Sequence, residues 1–198
     1  MRIDWSRLRP SRWLEFASPV TLGFALLSLL ALGLDALTGG RSTRAVFSVY
    51  RSSMASPLFY PRLFLHVLGH AGFAHYAANM GLFLLLGPLM EKRYGSGRFL
   101  AYLLISALAT GLVHILISPN TAMLGASGVV FMLILLSAIS GRSSDKVPFT
   151  LVLVALIYLG REIVGGLFTH DNISQLAHIA GGVCGVVLGL MGPKPSAW

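Results

Sequence analysis

Charge is scarce in this chain. Asp, Glu, Lys and Arg make up 11% of its 198 residues, less than half of the roughly 25% usual in soluble domains. Hydrophobic residues account for 55% and the mean hydropathy is +0.76. The chain therefore lacks the polar surface that a water-soluble fold presents, and it is far too apolar for a disordered segment. Cys184 is the only cysteine, which excludes a disulfide scaffold. The glycines follow no three-residue period, which excludes collagen. Acidic side chains number only 7 against 15 Lys and Arg, for a net charge of +8. Those cations fall between apolar segments and do not gather into one basic face with aromatic platforms, so nucleic acid is set aside as a partner. What remains is an integral membrane protein whose environment is the lipid bilayer.

Stretches free of Asp, Glu, Lys and Arg set the organisation. They predict spans over 16–34, over 73–90 within the uncharged stretch 63–90 and over 173–192, and the apolar segment 147–168, which carries Arg161 and Glu162, is read as a further span. The stretch 99–141 is uncharged for 43 residues, enough for two helices at about 20 residues per crossing. Ser118-Pro119-Asn120-Thr121 supplies the turn between them. Backbone in lipid must satisfy itself, and no ten-residue alternation appears, so the spans are read as helices and not barrel strands. The first run resembles a signal peptide in its basic lead, but it is long and has no clear small-x-small cleavage site, so it is read as a retained span. Six spans place both termini on one side. Ten Lys and Arg then lie on that side and five opposite, four of the five in or directly after the long first loop 38–61, which favours cytoplasmic termini. The expected organisation is a cytoplasmic segment 1–15, a membrane domain 16–192 and a tail 193–198. Glu91, Lys92 and Arg93 are expected to form an interfacial charge cluster anchoring the inner end of the second span.

Polar groups inside spans are costly and mark candidate sites. Three clusters stand out: His66, His70, His75 and Asn79 at the head of the second span; Gly125-Ala126-Ser127-Gly128 opening the fourth; and Ala177-His178-Ile179-Ala180-Gly181 inside the sixth. Ser127 begins a helix of about fifteen residues, too short to cross a full bilayer, so it would lie below the membrane surface at the positive end of a helix dipole. Gly125 and Gly128 leave room for a substrate backbone. A serine hydroxyl needs a base, and His178 is the candidate. Small residues recur every fourth position at Ala177, Gly181, Gly185 and Gly189, a stripe that lets helices pack backbone to backbone and would bring His178 to Ser127. His75 and Asn79 lie one turn apart and both donate hydrogen bonds. With the Ser127 N–H they would compose an oxyanion hole for a tetrahedral intermediate. Asp171 lies near the water boundary and Glu162 on another span, so a Ser–His dyad without a third carboxylate is the economical reading. His66 and His70 are spaced like a metal pair, but no acidic residue lies near them; no metal or cofactor is expected.

The joint pattern His70-x4-His75-x3-Asn79, Gly125-Ala126-Ser127-Gly128 and Ala177-His178-x2-Gly181-x3-Gly185, with Glu91-Lys92-Arg93-Tyr94-Gly95-Ser96-Gly97 closing the second span, resembles the rhomboid family of intramembrane serine proteases. The resemblance covers roughly 63–189. It implies an all-α bundle of six transmembrane helices with a short central fourth helix, in a bacterial inner membrane, and Ser127 as nucleophile with His178 as general base. It further implies hydrolysis of a peptide bond in or near the transmembrane segment of membrane-protein substrates, with 164–172 as a lateral gate. Two positions depart from the pattern common in bacterial members. Phe131 stands where a Tyr often stacks on the catalytic histidine, and Pro61-Arg62 replaces a Trp-Arg pair. The alternative is a non-proteolytic relative that binds membrane clients, although such relatives typically lack the serine or histidine. A proton-coupled transporter would call for further intramembrane carboxylates and repeated halves. The sequence leaves the oligomeric state open.

Overall fold

The structure, a computed structural model, describes residues 18–118, 120–140 and 172–192, together with 149, 152, 153, 156, 157 and 160. The N-terminal arginines, most of the expected fifth span, the expected gate up to residue 171, Arg161, Glu162 and the tail lie outside the described residues. The described fold is helical: α1 Pro19–Thr38, α2 Arg41–Ala45, α3 Phe59–Leu65, a 3-10 turn His66–Leu68, α4 Phe73–Tyr94, α5 Ser96–Ile117, α6 Ser127–Ser140 and α7 Asn172–Met191. By length and composition α1, α4 and α5 can each cross a membrane, whereas Ser127–Ser140 and Gln175–Met191 are shorter apolar helices.

Boundaries differ from the charge-based reading where a charged side chain finds a partner. Pro19 opens α1 with a ring suited to the first turn. The helix then runs past Asp35, whose Oδ1 accepts from the Thr43 N–H at 3.2 Å. The second span likewise runs on to Tyr94, through Glu91. This corrects the expectation of an interfacial cluster there: Lys92 is exposed, but Glu91 is only 2% exposed. Its carboxylate accepts from the N–H groups of Val20 (2.9 Å) and Thr21 (2.8 Å), the Thr21 hydroxyl (2.8 Å) and the Ser96 hydroxyl (2.7 Å). Those two amides are among the donors that the first turn of α1 leaves without helical partners. A carboxylate from α4 thus caps α1, where the helix dipole favours negative charge. Gly95 joins α4 to α5 at φ 78°, a left-handed conformation that a side chain would strain.

The long first loop is built rather than open. α3 packs on α5, and Val49, Leu63 and Ile115 form a small apolar cluster with Phe59, Phe64, Leu108 and Met123 against it. Pro61 lies in the first turn of α3, where the amide it lacks has no helical acceptor. Arg62 stacks over the Tyr50 ring at 4.4 Å and donates to the Ala45 carbonyl at 2.9 Å. The Arg51 guanidinium donates to the carbonyls of Ile115 and Leu116 at the end of α5, which meets acceptors that a helix C-terminus leaves open.

α6 is buried on every side. Phe131, Met132, Leu133, Ile134 and Leu136 are all at most 4% exposed, as expected of a helix that is apolar all round. Its 14 residues span about 21 Å, against a hydrocarbon core of about 30 Å. Its main partner is α7. A methyl group at Gly181 would lie 2.0 Å from the Gly128 carbonyl oxygen, and one at Gly185 would lie 2.3 Å from that of Met132. The two backbones touch, and only hydrogen fits between them.

Candidate functional site

The site forms where the long first loop, the head of α4, the start of α6 and the first turns of α7 meet. The segment before α6 is held by backbone bonds on the first-loop side. Val49 and Met123 exchange N–H to carbonyl bonds at 2.9 Å in each direction, and the Gly125 N–H donates to the His66 carbonyl at 2.9 Å. Gly125 adopts φ 122°, a backbone state that residues with a Cβ rarely adopt. A methyl group there would meet His75 Cε1 at 2.9 Å and Nε2 at 3.0 Å, with Ser127 Oγ at 4.0 Å. His75 and Ser127 therefore border one small space, kept open because residue 125 has no side chain. Asn79, buried one turn after His75, donates from Nδ2 to the His75 carbonyl at 3.0 Å.

The α6–α7 contact brings in the third cluster. A methyl group at Gly128 would meet Thr110 Cγ2 at 2.8 Å and the Ala177 carbonyl oxygen at 3.4 Å. The neighbour of Ser127 on α6 thus touches the neighbour of His178 on α7. Phe131, one turn after Ser127, lies face to face with His178: ring centroids 4.7 Å apart, planes within 8°. His178 is 7% exposed. A half-buried serine at a helix N-terminus and a buried imidazole at the same end of one tight helix pair, with two further donors on a third helix, form an arrangement suited to acyl transfer.

His70 and His66 are buried around this space rather than exposed within it. His70 is fully buried, its Nδ1 donates to the Leu68 carbonyl at 3.1 Å, and its ring meets His75 edge-on at 5.1 Å. Burial, with His75 beside it, lowers its pKa from 6.5 to about 4, so it is neutral at pH 7. Both ring nitrogens of His66 are engaged, Nδ1 with the Arg62 carbonyl at 3.1 Å and Nε2 with the Thr110 hydroxyl at 3.3 Å. Thr110 was not a candidate in the sequence. With His66, Met123, Leu124, Gly125 and Ser127 it lines a small recess beneath the start of α6. A lone threonine among apolar residues gives no periodic signal of such a place.

The rhomboid domain matches residues 59–195, more than half of the chain. This protein belongs to the rhomboid family. It is 29% identical over 187 residues to rhomboid protease GluP of Bacillus subtilis strain 168, covering 88% of this chain and 35% of that protein. It is 29% identical over 178 residues to rhomboid protease GlpG of Pectobacterium atrosepticum, covering 87% of this chain and 62% of that protein. Over 145 residues it is 31% identical to rhomboid-like protein 11, chloroplastic, of Arabidopsis thaliana, covering 65% and 51%. The chain thus spans less than two thirds of the length of each of these relatives. The rhomboid match includes His66, His70, His75, Asn79, Ser127, Phe131 and His178, and together with the long apolar helices it identifies an integral membrane protein.

Proposed function

We propose that this rhomboid protein is an intramembrane serine endopeptidase that hydrolyses a peptide bond in or near the transmembrane segment of other membrane proteins. The observation that carries the reading is the seating of His178. Its ring lies on Phe131 and its helix on Gly128, so the imidazole belongs to the end of α6 that Ser127 opens. In this reading Ser127 is the nucleophile. His178 takes its proton as the carbonyl is attacked and returns a proton to the leaving amine. His75, Asn79 and the Ser127 N–H hold the oxyanion, while Gly125 leaves room beside Ser127 and Gly128, Gly181 and Gly185 let α6 and α7 meet closely. The names of the protease relatives support the activity.

The proposed scaffold is a six-span bundle in which α6 is the short central fourth helix and 147–168 the fifth. Residues 1–15 and 193–198 form short ends on the cytoplasmic side of a bacterial inner membrane, and 164–172 forms the gate. A helical substrate must unwind to be cut, because its carbonyls are otherwise engaged. The test is labelling of purified protein with a fluorophosphonate, native against Ser127→Ala, alongside cleavage of a transmembrane substrate. Labelling and cleavage are expected only in the native chain. Equal cleavage by both would overturn the serine mechanism, and an unreactive native chain would favour a client-binding relative without protease activity.

A further inference from the structure

A hydrogen-bond donor can be present in a site and still point the wrong atom at its ligand. A neutral imidazole carries its proton on either Nδ1 or Nε2, and a carboxamide can turn either NH2 or oxygen toward a given neighbour. Here backbone groups settle both choices. The Ala71 N–H donates to His75 Nδ1 at 3.4 Å. That nitrogen must hold its lone pair, so the proton of the neutral ring lies on Nε2. Nε2 is also an atom facing the open space at Gly125, where a methyl group would meet it at 3.0 Å. One turn further on, the His75 carbonyl accepts from Asn79 Nδ2 at 3.0 Å. This turns the NH2 of the amide, not its oxygen, toward that side and leaves a second N–H for a ligand.

The turn that carries Ala71 is itself held on both sides. The fully buried His70 ring donates back to the Leu68 carbonyl and packs edge-on against His75 and Tyr76. At Gly69 the chain lies against Phe47 so closely that a methyl group would meet its carbonyl oxygen at 2.1 Å. The amide of residue 71 therefore has little freedom to leave its acceptor.

We infer that the Ala71 backbone amide is a positioning group that fixes His75 as the Nε2–H tautomer and prevents the ring from turning over, so that its proton is already aimed at the oxyanion beside Ser127. The consequence for rate rests on the proposed hydrolytic function; the location of the proton does not. Preorganised donors stabilise a transition state because they need no reorientation as charge develops.

The test is 15N NMR of histidine-labelled protein in detergent, with His75 assigned from the spectrum of His75→Ala. The native chain is expected to show a lone-pair Nδ1 and a protonated Nε2 at position 75. Ala71→lactate, which replaces the 70–71 amide by an ester and removes only the N–H, is expected to show exchange between tautomers. Its kcat for a transmembrane substrate should fall about tenfold, part of the 10²–10³ that complete loss of a donor costs, with KM within about twofold. A native His75 protonated on Nδ1, or an ester variant whose tautomer is unchanged, would overturn the inference. A tautomer that mixes while kcat holds would instead remove His75 from the oxyanion hole and leave the clamp standing.

Discussion

The Phe131 and His178 rings stack at 4.7 Å with their planes 8° from parallel. A face-to-face contact restricts rotation of the imidazole about its own bond to Cβ, which decides where its nitrogens point. The contact needs only a ring face, so Phe serves where a Tyr is common in bacterial members, and the orienting element is the flat surface rather than a hydroxyl. Since Phe131 lies on the same helix as Ser127, one turn along, α6 carries both the proposed nucleophile and the surface that aligns its base.

Phe131→Leu should therefore separate orientation from packing. The volume stays apolar and similar, so stability should change by less than about 1.5 kcal/mol. The stacking surface is lost, and kcat should fall about tenfold or more through misorientation of the base. Unfolding midpoints measured beside kcat check this. Full activity in Phe131→Leu would show that α7 packing alone orients His178.

Gly185 tests the helix contact without touching the site. A methyl group there meets the Met132 carbonyl oxygen at 2.3 Å and the Leu136 nitrogen at 3.0 Å, both backbone atoms that cannot swing aside. Gly185→Ala should push α7 from α6, and Gly185→Leu should do so further, with activity lost before folding fails. Gly23 on α1 is the control, because a methyl group there meets nothing within 4 Å. Gly23→Ala should leave activity unchanged and alter stability by no more than about 1 kcal/mol. Cleavage rates for the three variants, compared with their unfolding curves, decide whether the close approach of the helices holds the site together.

Much of this was legible because lipid imposes simple rules. Runs without charge located α1, α4 and α5 to within a few residues, and the four-residue spacing of Gly181, Gly185 and Gly189 marked the face on which α7 meets α6. Glu91 was misread for a physical reason. Beside Lys92 and Arg93 a carboxylate looks solvated, and nothing local reveals that its partners are the amides of residues 20 and 21, about seventy positions earlier. The first loop was opaque for a related reason. Its short helices have too few turns to show a period, and its ties to the segment before α6, such as Val49 to Met123, are backbone bonds that any side chain permits. The seating of His178 on Phe131 could be anticipated only through the family resemblance, since spacing within one helix says nothing of its rotation against another.

Glu91→Leu should be among the most damaging changes outside the site. It leaves the half-buried Val20 amide and the buried Thr21 amide without acceptors, at up to about 1–3 kcal/mol for each, and the Thr21 and Ser96 hydroxyls lose a partner as well. Thr21→Val removes a single hydroxyl bond and should cost only about 1 kcal/mol. Denaturant unfolding in detergent should rank native, Thr21→Val and Glu91→Leu in that order. A Glu91→Leu protein as stable as native would mean that the cap on α1 contributes nothing net.

Acid should loosen the first-loop side of the site through buried histidine. Burial lowers the His66 pKa from 6.5 to about 4. Between those values the unfolded chain binds a proton at this position that the folded chain refuses. The folded state is thus at full advantage above pH 6.5 and loses stability as pH falls toward 4. Roughly 1.4 kcal/mol for each tenfold change makes the loss about 2–3 kcal/mol by pH 4.5. His70, shifted to about the same value, adds a loss of the same sign. His66→Gln cannot take up a proton and should shrink the difference in unfolding free energy between pH 7.5 and pH 4.5, while leaving the His70 share in place. The Gly125 N–H donates to the carbonyl of residue 66, so the same protonation should disturb the segment that presents Ser127, and activity should fall over the same range as stability. Unfolding curves at the two pH values for both proteins test this. An identical pH dependence in His66→Gln would show that His66 takes up its proton in the folded chain as readily as in the unfolded one, and that the acid sensitivity arises elsewhere.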